Sequence, residues 1–254
     1  MSASLLLPLV ALAASLLTFV SGFGLGTLLL PAFALFLPLP QAVALTAVVH
    51  LLNNAFKFAL LRTHVHRPTL LAFGLPAIVG AFAGAWLLGR LGDLQPLYHG
   101  ARHAVGPLQV TIALLMALFA LLELSPALKG LRFGARWRTV GGLVSGLFGG
   151  LSGHQGALRS MFLVHGGLSK EGYVATGTAI ALLVDLARIP VYLTGLDRAA
   201  LGSHAGLLTV CVLAAFAGAW WGRKLLPSLT YRGVQLAVAV LLLGIAAGLL
   251  AGML

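Results

Sequence analysis

The stretch GGLSGHQGALRSMF, residues 149–162, lies between long apolar runs and carries four glycines, two serines, a histidine, a glutamine and an arginine. Glycine loosens the backbone, so this density of it predicts an interruption rather than a continuous helix. Arg159 is costly to place in hydrocarbon. Broken backbone is tolerated inside a membrane only where it is buried in protein or lines a cavity. A break and a charge together therefore point to a site.

Working outward, the composition leaves little of the chain for water. Of 254 residues, 60% are hydrophobic and only 8% are charged, and the mean hydropathy is +1.04. A soluble domain carries about a quarter charged residues. The expected class is an all-α polytopic membrane protein. The 16 Lys and Arg against 5 Asp and Glu would suggest nucleic acid in a soluble protein, but in a membrane protein basic residues collect in cytoplasmic loops, so no nucleic acid is expected. Cys211 is the single cysteine, which excludes an intrachain disulfide and a cysteine metal cluster. The first twenty residues, MSASLLLPLVALAASLLTFV, lack a basic start before the apolar run and are expected to belong to the mature protein.

The chain reads as two copies of one unit. AFAGAW occurs at 81–86 and again at 215–220, each time followed by Gly-Arg (Gly89–Arg90 and Gly222–Arg223). Upstream of each copy the same order recurs: an apolar segment, a glycine cluster (SGFGLG at 21–26, GGLSGHQG at 149–156), a short apolar piece, a turn (37–41, 166–172) and a long segment with polar groups near its centre. The division is a first repeat at 1–124, a basic cytoplasmic linker at 125–138 and a second repeat at 139–254. A spanning helix needs about 20 apolar residues, and 42–61, 69–90, 107–123, 172–196, 205–222 and 233–253 come near that. The pieces at 5–20, 27–37, 139–148 and 157–165 read as half-helices or re-entrant pairs. Each repeat is thus a glycine-broken short-helix pair followed by about three transmembrane helices.

Charge gives the orientation. Loops 62–68, 125–138 and 223–232 hold Arg62, Arg67, Lys129, Arg132, Arg136, Arg138, Arg223, Lys224 and Arg232. The opposite loops hold Arg90, Arg102 and Arg198, offset by Asp93 and Asp197. The basic set belongs in the cytoplasm. Each copy then crosses an odd number of times, so the repeats are inverted and both termini face outward. Inverted repeats with paired broken helices are the build of a secondary transporter that binds substrate near the midplane.

The N-terminus of a half-helix offers unpaired N–H groups and a positive dipole end. Two such ends, after Gly26 and Gly156, make an anion site before side chains are counted. Arg159, in the first turn of the second half-helix, opposes the dipole and suits an anion instead. The candidate substrate-binding residues are Gly24, Gly26, Asn53, Asn54, Lys57, Ser152, Gly153, His154, Gln155, Gly156, Arg159, Asp185 and Arg188. Asp185 and Arg188, three apart on one helix face, are equally readable as an internal ion pair. Lys57 is equally readable as snorkelling to the interface. His50 and His165 fit core histidines, and His154, inside the break, is the histidine best placed for protons.

The segments GLFGGLSGHQGALRS, GLSKEGYVATG and VDLARIPVY, with the glycine cluster and short helix in both halves, resemble the sulfite exporter family named for TauE and SafE. The resemblance covers nearly the whole chain and is strongest over 141–192. It implies a small duplicated membrane protein that transports sulfur-containing anions such as sulfite or organosulfonates. Two rival readings remain: a passive anion channel, and a rhomboid-like intramembrane serine protease built on Gly150-Leu151-Ser152-Gly153 with His50 or His165 as base. Transport implies no enzyme, no cofactor and no metal. The expected partners are a small anionic substrate and the lipid bilayer, with a homodimer and proton coupling compatible with the pattern, and the expected place is the bacterial inner membrane.

Overall fold

The computed structural model describes residues 2–21, 25–125, 133–163, 167–195, 202–225 and 231–254. These fold into α1 (Ala3–Ser21), α2 (Leu25–Ala34), α3 (Leu39–Leu61), α4 (Arg67–Gly92), a hairpin of β1 (Tyr98–His99) and β2 (Ala104–Val105), α5 (Pro107–Leu124), α6 (Arg138–Ser152), α7 (Gly156–Leu163), α8 (Lys170–Thr194), α9 (Ala205–Leu225) and α10 (Tyr231–Leu250). Local sequence sets the starts. Pro40, Pro68 and Pro107 occupy first-turn positions where no N–H partner is lost. Ser169 Oγ accepts from Gly172 N–H at 3.0 Å and caps α8.

Among the described residues, four helices are long and apolar enough to cross a membrane: Leu39–His64, Arg67–Gly92, Lys170–Thr194 and Ala205–Gly222. The protein is a multi-pass, all-α membrane protein. Its outward faces are apolar, as lipid requires. On α4, Leu71, Leu75, Val79, Phe82 and Trp86 are exposed while Phe73, Ala77, Ala81 and Ala85 are buried. Large residues face out and mostly small ones face in, the reverse of a size pattern driven by water.

The small inward residues permit close helix approach. Gly142, Gly146 and Gly150 of α6 lie against the carbonyl oxygens of Phe73, Ala77 and Ala81 of α4, and Gly80 and Gly84 return the contact to Leu143 and Leu147. A Cβ at any of these glycines would overlap backbone. Both series advance by four along both chains, so α4 and α6 run parallel as a small-residue zipper. The contact repeats between α1 and α9, where Gly218 lies on the Leu12 carbonyl. The first helix of each half thus packs on the AFAGAW helix of the other half. Helix α3 packs on α8, and α5 on α10.

Two expectations shift. The break in the second half begins only at Gly153, which has φ +80° and caps α6; Gly149 and Gly150, expected to interrupt the helix, sit inside it. Their role is contact, because the energy of tight interhelical packing outweighs the modest helix cost of glycine. Likewise α1 has 19 residues, about 28 Å at 1.5 Å per residue, more than a half-helix. Gly24, His165, Lys129, Arg132, Asp197 and Arg198 lie outside the described residues.

Candidate functional site

The break at Gly153 meets the start of α2. Gly26, in the first turn of α2, approaches Gly153 so closely that a Cβ there would stand 3.1 Å from the Gly153 carbonyl oxygen and 3.8 Å from Thr46 Cγ2. The left-handed turn at Gly153 releases the chain from α6 and restarts it as α7 at Gly156, three residues on. Gln155 N–H donates back to Gly153 O at 3.0 Å, and Ser145 Oγ donates to Gln155 O at 3.2 Å. The break is a built turn.

Around this crossing, buried polar groups gather from α3, α8 and the α6–α7 turn: His50, Asn53, Asn54, Lys57, Ser152, His154, Gln155, Thr176, Thr178, Asp185 and Arg188. Some hold one another. Arg188 Nε donates to Asp185 Oδ1 at 2.9 Å, with Nη2 at 2.8 Å, and Nη1 donates to Gly149 O at 2.7 Å. Asp185 Oδ2 lies 2.6 Å from His50 Nδ1. This network joins α3, α6 and α8. Asn53 is fully buried; with its oxygen turned to Lys57 Nζ at 3.2 Å, its nitrogen donates to Ser15 Oγ at 2.9 Å and Ala215 O at 3.2 Å. Asn53 therefore ties α3 to α1 and α9.

Other groups have bonding capacity left among the described residues. Gln155 is fully buried with neither Oε1 nor Nε2 bonded, and Thr46 Oγ1, His154 Nε2 and Arg159 Nη1 are buried without a partner. Buried polar atoms are normally satisfied, so a cluster of orphans at one place is a mark of a ligand. His154 is held by Nδ1 at 3.1 Å from both Ser152 O and Ser152 Oγ and stacks on Phe119 at 5.2 Å. The Arg159 guanidinium lies over Gly177 of α8, where a Cβ would stand 3.4 Å from Nε. Lys57 is 5% exposed and within electrostatic reach of Arg159, so its amine is buried in the protein and does not snorkel to the interface.

Ser152 Oγ donates to Phe148 O at 3.1 Å inside its own helix, and His50 is engaged by Asp185. His50 is therefore not placed as the base of Ser152, and His165 lies outside the described residues. Sequence reading missed Thr46, which looks like one more small residue on an apolar helix, and the role of Tyr192, whose hydroxyl donates to the Gly150 carbonyl. Tyr192 also borders a cavity of about 570 Å³ between the ends of α3, α4 and α8, lined by Pro40, Arg90, Asp93 and Gly195 among others. Arg188 lies 5.8 Å from the Tyr192 ring on the inner side. Tyr192 thus borders both the cavity and the ion-pair network.

No curated protein and no solved structure matches this chain. A family model described as sulfite exporter TauE/SafE matches residues 7–249. The glycine breaks, the buried basic centre and this nearly full-length match agree: the chain belongs to the TauE/SafE family of membrane sulfite exporters.

Proposed function

We propose that the protein is a secondary transporter of a small sulfur-containing anion, of the sulfite or organosulfonate class, bound near the midplane where the two breaks cross. The carrying observation is the contact of Gly26 with Gly153 inside a set of buried polar atoms that lack partners. The start of α7 supplies backbone N–H groups and a positive dipole end. Arg159, Gln155 and Thr46 supply side-chain donors, and an oxyanion accepts several such bonds at once. Gly156, Lys57 and Asn54 complete the surround. Asp185 and Arg188 hold α8 to α3 and α6 through His50 Nδ1 and the Gly149 carbonyl, and place the Arg188 guanidinium beside Gly153.

The repeats, 1–124 and 139–254 joined by the linker 125–138, are inverted in this reading. Support comes from the reciprocal packing of α1 on α9 and α6 on α4. Ser2 and Ala135 precede the first helix of the two halves. In a Cys211→Ala background, an impermeant thiol reagent applied outside should label Ser2→Cys and spare Ala135→Cys. Equal labelling of the two removes the inversion; the opposite pattern reverses the orientation.

Cargo is tested by thermal shift on the purified protein with sulfite, thiosulfate, sulfate, sulfoacetate, taurine, phosphate and acetate. A ligand that binds only the folded state stabilises it by about 2.7 kcal/mol at a hundred times its Kd. Sulfite or a sulfonate should raise the melting temperature most. Stabilisation by acetate or phosphate alone overturns the sulfur assignment.

A further inference from the structure

The buried network contains one position that is open to a proton. His50 is 3% exposed and Asp185 is fully buried. Their 2.6 Å contact uses His50 Nδ1. With Nδ1 as the donor, Nε2 keeps the lone pair; Asn54 Nδ2 lies beside the ring, 3.0 Å from Nδ1 and 3.2 Å from Nε2. An imidazole already donating to a carboxylate is well prepared to become imidazolium, because that carboxylate stabilises the added charge.

We propose that His50 is a proton-binding site whose occupancy is coupled to that of the anion, so that the transporter carries a proton together with its anion. The inference rests on the transporter reading and goes beyond it by naming the coupling ion and its residue. Its basis is a charge count. Among the described residues, the groups facing His50 are Asp185 and Arg188 from α8, Arg159 from α7, and Asn54 on its own helix, with Lys57 two turns on from it. Two arginines, Arg159 and Arg188, stand against the single carboxylate of Asp185, so the centre has an excess of positive charge before Lys57 is counted. A proton on His50 adds a further cation to this buried centre. An anion bound beside Arg159 removes the excess. Each therefore raises the affinity for the other, and by linkage the effect is reciprocal. Asn54 transmits the change locally: once Nε2 carries a proton it is a donor, and the Asn54 amide must present its oxygen instead of its nitrogen.

The test is the number of protons taken up when an anion binds. Methanesulfonate is a suitable probe because it does not titrate near neutral pH. Calorimetric titration in two buffers of different ionisation enthalpy reads the uptake directly. Wild-type protein should take up a substantial fraction of one proton per methanesulfonate. His50→Gln and the fixed-charge His50→Lys should both still bind the anion and take up none. Binding without uptake in the wild type overturns the proposal, and this result needs no variant to fold. Unchanged uptake in either variant also overturns it. If methanesulfonate, sulfite and thiosulfate all fail to bind the wild type, the anion-transport reading falls, and the coupling falls with it.

Discussion

Gly146→Val and Gly150→Val, singly, should leave little folded protein, and together none. At each position the added Cβ meets a carbonyl oxygen of α4, that of Ala77 or of Ala81. Overpacking a core costs about 1–3 kcal/mol when side chains can give way. Here the obstruction is backbone, so the helices must separate along the whole zipper. Folded proteins stand only about 5–15 kcal/mol above the unfolded state. Detergent-solubilised variants would be followed by size-exclusion chromatography and thermal melting. Gly244→Val on α10, where a Cβ meets nothing within 4 Å, is the control and should elute as the wild type does. A Gly146→Val melting point within a few degrees of the control would mean that α4 and α6 do not pack this closely.

Arg159→Gln should reduce anion transport roughly ten- to hundredfold with normal expression. A hydrogen bond to a charged group contributes about 1.5–3 kcal/mol, and each 1.4 kcal/mol is tenfold in affinity. Arg159→Lys keeps the charge but loses the planar two-pronged fit to oxyanion oxygens, so it should fall most of the same way. Flux of the probe anion into proteoliposomes measures both. Since Arg159 Nη1 is buried without a partner among the described residues, its removal breaks no internal hydrogen bond at that atom. Folding should therefore survive, and the loss should appear in apparent affinity. Wild-type flux in Arg159→Gln would leave this arginine with a structural part only.

The sequence by itself determined the class and the family. Composition at 8% charge leaves an apolar chain no choice but lipid, and the segments that carry the family resemblance are read without any knowledge of contacts. The pairing of Asp185 with Arg188 was also legible, because three residues of helix bring two side chains together whatever surrounds them. What only the tertiary structure decided is everything carried by long separation. Asp185 reaches His50 across 135 positions, and no periodicity announces that. Glycines look alike in a sequence, yet Gly150 lies in a regular helix and Gly153 turns left-handed. The difference is set by α4, which occupies the space a side chain at Gly150 would need. Lys57 shows the same division: its helix position leaves burial and snorkelling equally open, and the packing of α3 against its neighbours puts it inside. Local chemistry is written residue by residue, whereas burial is a property of what the rest of the chain brings to the same place.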